Sequence, residues 1–327
     1  MMDEQKIFSI TTDAEFERLA IETFRFQYAN VDVYRTYVDL LRINPDKVQR
    51  PDQIPFLPIQ FFRNKRIIAN GLAPEIEFAS SGTTGAETSR HLVAKSELYR
   101  QSYTTAFRHF YGNEQQYCIH ALLPAYLERS GSSLVYMVDG LIKQSGNSCG
   151  GFYLNQLDEL AKKLQQLDDS GQKCMLIGVS FALLDLADRQ KLNLKNTIVM
   201  ETGGMKGRRK EMVREELHGI LTSAFGVENI HSEYGMTELL TQAYSKGKGI
   251  FSCPPWMRVL IRETNDPLTL APVGSTGGIN IIDLANLYSC SFIQTQDLGR
   301  LYPNGTFEVL GRMDSAPIRG CNLLVYG

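Results

Sequence analysis

The sequence predicts an α/β protein in which a mostly parallel sheet is followed by a β-rich C-terminal part. Two patterns lead to this prediction. Between about residues 116 and 231, short apolar runs alternate with amphipathic stretches, as strands and covering helices do in a parallel sheet. After about Phe251, apolar and polar residues alternate and are broken by Gly, Pro and Asn, which is typical of antiparallel strands. The 327-residue chain is 43% hydrophobic, which is enough for a large core.

These changes of pattern divide the chain into three predicted segments. Residues 1–75 form a helical N-terminal segment, residues 76–250 an α/β core, and residues 251–327 the β-rich C-terminal part. Within the first segment, apolar periodicity predicts helices over Asp13–Tyr28 and Val31–Arg42. We therefore expect the chemistry to lie in the second and third segments.

Composition and charge narrow the function classes. Lys and Arg nearly balance Asp and Glu, leaving a formal net charge of -2, so no global field gathers nucleic acid or an anionic membrane. We expect a small-molecule substrate or a protein partner instead. The polar start, Met1 to Lys6, is unlike a signal peptide, and no apolar run reaches membrane-spanning length. These features predict a cytoplasmic protein with no integral membrane segment and no nucleic-acid partner.

The cysteines also predict a cytoplasmic protein. The six cysteines are scattered without a C-x-x-C pair, which argues against a metal knuckle or a compact disulfide framework. Most are expected to be free thiols that fill the core, in a reducing compartment. They are Cys118, Cys149, Cys174, Cys253, Cys290 and Cys321.

The first chemical motif is Ser80-Ser-Gly-Thr-Thr-Gly85, directly after the apolar run Ile76–Ala79. Its glycines let backbone N–H groups turn toward a polyanion, and its hydroxyls add donors for phosphate oxygens. It is not a Walker motif, because the G-K-[ST] ending is absent. Alone, it is also compatible with a polar hairpin turn.

The second motif is Tyr234-Gly-Met-Thr-Glu238, which follows the strand predicted to end at His231. It therefore falls at the carboxyl end of a parallel sheet, where ligands bind in such folds. An aromatic ring to stack on a base, a hydroxyl for phosphate and a carboxylate for Mg²⁺ suit a nucleotide and its metal. His231 precedes the motif and is a candidate for orienting the substrate, with a structural hydrogen bond as the alternative.

The third motif has two parts, Thr295-Gln-Asp-Leu-Gly299 and Gly311-Arg-Met-Asp314, on either side of Pro303-Asn-Gly305. Asn-Gly supplies the positive φ angles of a hairpin turn. A carboxylate beside such a turn can accept hydrogen bonds from both ribose hydroxyls, and a nearby arginine can neutralise phosphate. The alternative is a surface turn with a salt bridge.

In this order, the three motifs resemble the signature of the adenylate-forming superfamily of acyl and aryl ligases, over roughly Phe78 to Gly320. The resemblance implies the large-domain fold of that superfamily, with ATP and Mg²⁺ as cofactors, and the conversion of a carboxylic acid into an acyl-adenylate. By position it implies that the pyrophosphate end of ATP binds to Ser81, Gly82, Thr83, Thr84 and Gly85, the adenine to Gly203, Gly204 and Tyr234, the α-phosphate to Thr237, Mg²⁺ to Glu238, and the ribose to Asp297 and Arg312.

The C-terminal end narrows the resemblance. The superfamily usually adds a small lid domain that brings a lysine, and here the chain stops at Gly327, so we expect that domain to be absent or truncated. Arg90 or Lys206 can supply part of the missing charge. Three segments together resemble the acyl-protein synthetases of the bacterial luminescence fatty-acid reductase complex: the tail Ile318-Arg-Gly-Cys-Asn-Leu323, the run Thr202-Gly-Gly-Met-Lys-Gly-Arg-Arg209, and the run His231-Ser-Glu-Tyr-Gly-Met-Thr-Glu238.

That family resemblance implies that a fatty acid is adenylated, moved to Cys321 as a thioester, and handed to an acyl-accepting reductase or carrier protein. A thiol beside Arg319, with Gly320 giving mobility, suits a nucleophile, because a neighbouring positive charge favours the thiolate.

Three other functions remain open. The chain can instead be an acyl-CoA ligase-like enzyme, or a non-catalytic binder of acyl groups or nucleotides. Gly178-Val-Ser-Phe-Ala182 mimics the nucleophile elbow of an α/β hydrolase, with Ser180 as its nucleophile. The alternative for Ser180 is a strand end that faces the acyl pocket or caps a helix. The basic cluster Lys206 to Lys210 is expected to be solvated surface.

Overall fold

The computed structural model describes residues 3–80, 88–123, 131–203, 209 and 212–313. The α-helices of this part are α1 (Gln5–Phe8), α2 (Asp13–Asn30), α3 (Asp32–Leu40), α4 (Phe61–Asn64), α5 (Ser96–Tyr111), α6 (Ser133–Ser145), α7 (Leu157–Asp169), α8 (Ser180–Arg189) and α9 (Arg214–Phe225). The strands are β1 (Leu57–Pro58), β2 (Ile76–Ala79), β3 (Arg90–Val93), β4 (Cys118–Leu122), β5 (Gly151–Tyr153), β6 (Cys174–Val179), β7 (Thr197–Thr202), β8 (Ile230–Tyr234), β9 (Ala243–Ser245), β10 (Ile250–Ser252), β11 (Met257–Arg262), β12 (Thr276–Asp283), β13 (Phe292–Leu301) and β14 (Phe307–Arg312).

The strands form a 12-stranded sheet, in which β1 pairs with β13, and a separate β2–β3 hairpin. The order along the large sheet is β11-β12-β13-β14-β10-β9-β8-β7-β6-β4-β5. From β5 to β8 the neighbours are parallel. From β8 onward to β11 they are antiparallel. The predicted α/β class, with a parallel portion and a β-rich C-terminal part, is confirmed. The two portions share one continuous sheet, in which antiparallel pairs of described strands outnumber the parallel pairs that were predicted to dominate, because the β-rich part adds its strands to the same sheet.

The parallel portion is buried on both faces. Every residue of β4 and β6 is buried, because crossover helices cover both sides of such strands. The turn predicted at Pro303-Asn-Gly305 is also confirmed: it joins the antiparallel pair β13 and β14, and Gly305 has a φ of 80°. A positive φ is readily accessible to glycine.

The N-terminal helices pack on the antiparallel portion. The predicted helix at Asp13 is confirmed as α2, which begins with a capping box from Thr12, a device that satisfies the first free N–H groups. Gln27 of α2 is buried, and its side-chain amide donates hydrogen bonds to the carbonyl oxygens of Asn286 and Leu287 at 3.0 and 2.8 Å. These bonds fix the segment that follows β12.

Two global expectations can be compared with the fold. No helix within the described residues is both long and apolar enough to cross a lipid bilayer. Cys118 and Cys149, expected to be ordinary core thiols, are instead joined by a disulfide. The expectation was wrong for this pair because residues far apart in sequence become neighbours where the loop before β5 runs beside β4.

Candidate functional site

The candidate site lies at the carboxyl ends of the parallel strands, where open α/β sheets bind ligands. Strand β8 ends at Tyr234, and the chain then turns through Thr237 and Glu238. A Cβ at Gly235 would lie 2.4 Å from the Glu233 Oε1 atom, so that side chain would have to move if a larger residue stood there. The second sequence motif therefore projects from the edge of the sheet.

Tyr234 connects this turn to the third motif. Its hydroxyl donates a hydrogen bond to Asp297 Oδ2 at 2.8 Å. Tyr234 is on β8 and Asp297 on β13, with β9, β10 and β14 between them in the sheet order. In a flat sheet this separation would be about 19 Å, so the sheet curls strongly here. The rings of Phe251 and Phe307 pack against Tyr234 inside the curl, with centroids 5.9 and 5.7 Å away.

Asp297 retains acceptor capacity at the mouth of the curl. Arg312 lies opposite it in the β13–β14 register, with Nε 3.7 Å from Oδ1. Among the described residues, no donor reaches Oδ1 within hydrogen-bond distance. Burial raises the pKa of Asp297, while the Tyr234 hydrogen bond and the positive charges of Arg312 and Arg262 oppose that rise. A carboxylate in this state can accept hydroxyl donors from a ligand.

A buried arginine holds the strands behind Asp297. Arg262 is 3% exposed and donates hydrogen bonds to the carbonyl oxygens of Ile279 at 2.8 Å and Thr295 at 2.7 Å. Burial lowers the pKa of Arg262 to about 10, and the negative charge of Asp297 opposes that change. Gly278 makes room for the guanidinium, because a Cβ there would lie 2.3 Å from the Arg262 Cζ atom.

Glu238 supplies the buried carboxylate of the site. It is 6% exposed, and burial raises its pKa. A hydrogen bond with Ser89 and the positive charges of Arg312 and Arg63 oppose the rise. A carboxylate oxygen is the donor type that Mg²⁺ prefers, and a bound cation would stabilise the charged form that burial disfavours. The residues present therefore fit a magnesium ion, with Glu238 as the protein ligand.

The β2–β3 hairpin lies beside this turn and carries Ser80, the first residue of the first motif, directly after β2. The Ser89 N–H donates to Ser80 Oγ at 2.9 Å, and the Ser80 N–H donates to the Ser89 carbonyl at 3.0 Å. His91 Nδ1 lies 2.8 Å from the Thr237 carbonyl oxygen. Residues 81–85, predicted to bind pyrophosphate, lie outside the described residues. Ser80, the one residue of that motif that is described, is paired with Ser89, two residues before the His91 that contacts Thr237.

A buried network of hydrogen bonds fixes the backbone of the second motif and of the residues that follow it. His91 Nε2 lies 3.0 Å from Asn286 Oδ1, and Asn286 Nδ2 donates to the Glu238 carbonyl oxygen at 2.8 Å. Asp283 accepts from the Leu240 N–H at 2.8 Å and from the Thr241 hydroxyl at 2.6 Å. Burial raises the pKa of Asp283 to about 6, with those hydrogen bonds in opposition. Such networks restrict a turn to one conformation when every member is paired.

The predicted adenine side is partly described. Gly203 follows the end of β7 with a φ of 66° and is exposed, whereas Gly204 lies outside the described residues. Beside it, the Thr202 hydroxyl donates to Glu233 Oε2. Burial raises the pKa of Glu233 to about 7, the Thr202 hydrogen bond opposes the rise, and the negative charge of Glu201 adds to it. This carboxyl group thus changes charge near neutral pH.

His231 is not brought into this group of side chains. It lies near the start of β8, and its Nδ1 is 3.2 Å from the Tyr111 hydroxyl of α5. Burial lowers the pKa of His231 to about 4, and the charge of Lys246 lowers it further. Side chains alternate along a strand, so His231 and Tyr234 are on opposite faces of β8.

Ser180 is hydrogen-bonded, among the described residues, to a carboxylate and a carbonyl group rather than to a histidine. It opens α8, is 2% exposed, and its hydroxyl donates to Glu201 Oε2 at 3.2 Å and to the Gly203 carbonyl at 3.4 Å. Within the part of the chain that is described, no histidine nitrogen is among its hydrogen-bond partners. His218 Nε2 contacts the other Glu201 oxygen at 3.6 Å. A serine nucleophile requires an adjacent base, so the geometry does not favour the hydrolase alternative.

The remaining candidate groups lie at the margins. Arg90 forms an ion pair with Glu77 across the hairpin, with Nη2 2.8 Å from Oε2, and so is engaged with its neighbouring strand. Arg209 of the basic cluster pairs with two carboxylates of α8. Lys206 and Cys321 lie outside the described residues.

Sequence reasoning missed several groups that organise the site. Ser89, His91, Arg262 and Asn286 each touch or support a motif residue, and Glu233 adds a titratable carboxyl group. Serine, histidine and asparagine outside a motif carry no distinctive pattern. A charged residue at the end of an apolar strand, as at Arg262 after Val-Leu-Ile, was the one signal available, because such a charge is seldom buried without a specific role.

Comparison with known proteins adds family and fold. The model of a family described as "Acyl-protein synthetase, LuxE" matches residues 11–326. No curated protein matches the chain by sequence.

Several solved structures share the fold. An open conformation of 2-hydroxyisobutyryl-CoA ligase with 2-HIB-AMP and CoA superposes with a TM-score of 0.68 at 10% identity, covering 93% of this chain and 70% of that one. ATP-bound MatB from Rhodopseudomonas palustris gives a TM-score of 0.54 at 15% identity, with coverage of 72% and 47%. An ATP-bound chimera of RpMatB and BxBclM gives 0.57 at 16%, with coverage of 75% and 49%. The chain thus spans about half the length of the MatB structures.

Proposed function

Because the chain belongs to the LuxE acyl-protein synthetase family, we propose that it activates a carboxylic acid with ATP and then carries the acyl group on Cys321. The fold that it shares with CoA ligases agrees with the first of these steps. We further propose that the acid is a fatty acid, and that a reductase or carrier protein accepts the acyl group.

One observation supports the proposal most. Tyr234 of the second motif is hydrogen-bonded to Asp297 of the third. His91 of the β2–β3 hairpin lies with its Nδ1 2.8 Å from the Thr237 carbonyl oxygen, and Ser80 of the first motif directly follows β2 of that hairpin. The described parts of three distant sequence motifs therefore lie near one another. A nucleotide with its metal is a ligand that requires an aromatic surface, hydroxyl acceptors and a hard oxygen donor together.

The proposed roles follow from the chemistry of each group. The Tyr234 ring stacks on adenine, and the free oxygen of Asp297 accepts from ribose hydroxyls while Arg312 adds positive charge beside it. Thr237 donates to the α-phosphate, and the hydroxyls and N–H groups of Ser81 to Gly85 bind the pyrophosphate end. Glu238 would hold Mg²⁺, which when bound neutralises phosphate charge.

The proposed reaction has two steps. A carboxylate oxygen of the acid attacks the α-phosphorus of ATP, the bond from that phosphorus to the bridging oxygen breaks, and pyrophosphate leaves. The Cys321 thiolate then attacks the acyl carbon, and AMP leaves with the electron pair of the broken C–O bond. Having the thiol on the same chain raises its effective concentration. A reducing cytoplasm would keep that thiol free.

Two assays test the steps separately. Acid-dependent exchange of labelled pyrophosphate into ATP, measured over a series of carboxylic acids, reports adenylation alone. Labelling of the protein by a radioactive acid with ATP, reversed by hydroxylamine, reports the thioester. We expect Cys321→Ser to retain exchange and lose the label, while Cys253→Ser, a matched control, retains both.

Each alternative has a distinct result. Absence of exchange with every acid would refute adenylation and leave a non-catalytic binder. Retention of the label in Cys321→Ser would refute the role of that thiol, and formation of free acyl-CoA would indicate a CoA ligase. Ester cleavage without ATP that disappears in Ser180→Ala would indicate a hydrolase.

A further inference from the structure

Three soft donor residues are brought together at the end of the parallel strands opposite the candidate site. Cys118 is the first residue of β4, and His120 follows two residues later, on the same face. Cys174, the first residue of β6, lies directly opposite Cys118 in the parallel register. Neighbouring strands therefore place two sulfurs and one imidazole on one side of the sheet.

The distances match those of a metal centre. Cys118 Sγ lies 3.3 Å from His120 Nε2. The donor atoms of Cys118, His120 and Cys174 all lie within 4.8 Å of one another, and all three residues are buried. In a tetrahedral zinc site, Zn–S and Zn–N bond lengths give donor separations of about 3.5 to 3.8 Å. Only small side-chain movements are needed to reach that geometry.

A fourth donor lies in the loop before β5. Cys149 is joined to Cys118 by a disulfide, so its sulfur lies beside that of Cys118 but outside the group formed by Cys118, His120 and Cys174; once the disulfide is reduced, rotation of the Cys149 side chain is needed to bring this sulfur to the group. Gly150 allows the loop this close to β4, because a Cβ there would lie 2.5 Å from the Ile119 carbonyl oxygen. Three cysteines and one histidine are a common ligand set of structural zinc.

His120 has no other polar role in its surroundings. It is fully buried, and its Nδ1 atom has no hydrogen-bond partner among the described residues. Its ring lies 5.7 Å from the Tyr153 ring.

We propose that Cys118, His120, Cys149 and Cys174 bind a Zn²⁺ ion that joins β4, β5 and β6 at their amino ends. All four positions of the ion are then occupied by protein, which is the arrangement of a structural site rather than a catalytic one. The proposal is independent of the proposed acyl transfer, since the candidate active site is at the other end of these strands.

The metal and the disulfide exclude each other. A cellular dithiol must first reduce the Cys118–Cys149 bond: two electrons and two protons pass to the protein sulfurs, and the dithiol becomes a disulfide. Binding of Zn²⁺ then displaces the protons of the three thiols. The reduced chain is therefore the form that binds the ion.

The test uses the full chain, purified with a thiol reductant and then freed of it by gel filtration. Elemental analysis measures bound zinc, and substitution with Co²⁺ tests the ligands through thiolate-to-metal charge-transfer absorption. We expect about one zinc per chain and a tetrahedral cobalt spectrum. Cys174→Ser should reduce bound zinc at least about tenfold at the same free zinc concentration, whereas the matched control Cys290→Ser, a buried cysteine outside the cluster, should leave it unchanged.

Two results would overturn the proposal. One is wild-type protein that holds no zinc and gives no cobalt spectrum although its thiols are free. The other is protein in which the Cys118–Cys149 disulfide persists after reductant treatment. If Cys174→Ser does not fold, Cys149→Ser provides the same comparison from the loop, and the cobalt spectrum of the wild-type chain needs no variant.

Discussion

The two ends of the same parallel strands carry different chemistry. At the carboxyl ends, Glu233, Tyr234 and Glu238 present oxygen atoms, which suit phosphate-bound Mg²⁺ and hydroxyl groups. At the amino ends, Cys118 and Cys174 present sulfur beside an imidazole, which suits a softer ion. The comparison shows that the two ends of one set of parallel strands can have different functions. The loops at the carboxyl ends can bind a ligand, and the amino ends can be cross-linked by a metal ion.

The largest expected effect is that of a substitution at the carboxyl ends that leaves the amino ends unchanged. Glu238→Gln should lower acid-dependent pyrophosphate exchange by about 10²- to 10³-fold, because the carboxylate that would hold the phosphate-neutralising Mg²⁺ is lost. Bound zinc and the unfolding temperature should stay close to wild type. Glu77→Gln, a carboxylate on the adjacent hairpin, serves as the control and should retain exchange. Equal exchange in both variants would contradict a metal role for Glu238.

The second prediction concerns the ribose contact. Asp297→Asn should raise the KM for ATP by about tenfold to a hundredfold, since a hydrogen bond to a charged acceptor contributes about 1.5 to 3 kcal/mol. The acid's own KM should change little. Asp266→Asn, in an exposed turn of the same antiparallel portion, is the control. A change in the KM of the acid alone would remove Asp297 from the nucleotide contact.

The third prediction uses the pH dependence of stability. The pKa of Glu233 is raised to about 7 in the folded chain from an ordinary value near 4.5, so the folded state holds this proton more tightly. The stabilisation of the folded state by the protonated Glu233 side chain is fully present below pH 4.5 and is lost as the pH rises through 7. Glu233→Gln should therefore be more stable than wild type at pH 8, on the order of 3 kcal/mol, with a smaller gain at pH 5.

Urea unfolding at the two pH values measures this difference. Asp283, whose pKa is also raised, remains in the variant, so part of the pH dependence should persist. An identical pH profile in the variant and wild type would mean that Glu233 is ionised throughout. The substitution is at the carboxyl ends of the strands, so it should leave the amount of bound zinc unchanged.

The smallest expected effect is that of a single hydroxyl. Tyr234→Phe keeps the ring and removes the hydrogen bond to Asp297. The KM for ATP should rise only a few-fold, because a net hydrogen bond contributes about 1 kcal/mol. Titration with ATP at saturating acid measures it, and Tyr302→Phe, outside the curl, is the control. If the KM for ATP rose as much as in Asp297→Asn, the Tyr234 hydroxyl would be required to hold Asp297 in its binding orientation.

The motif residues could be predicted from the sequence. The buried residues that hydrogen-bond to the motifs could not. Tyr234, Glu238 and Asp297 lie in short runs whose residue types already suit a nucleotide. His91 and Asn286 are 195 positions apart, and only the folded chain brings them together under the second motif. The Cys118–Cys149 disulfide was missed for the same reason, since the two cysteines are 31 positions apart and meet only where the loop before β5 runs beside β4. The parallel and antiparallel portions were predicted correctly because periodicity is a local property.

The curl that brings Tyr234 to Asp297 has a mechanical consequence. Strands β9, β10 and β14 lie between β8 and β13 in the sheet, so widening the mouth requires those backbone hydrogen bonds to bend together. A nucleotide held at both sides of the mouth would oppose that opening. Amide protons of the intervening strands should therefore exchange with deuterated solvent more slowly when ATP is bound, although the nucleotide itself need not touch those strands.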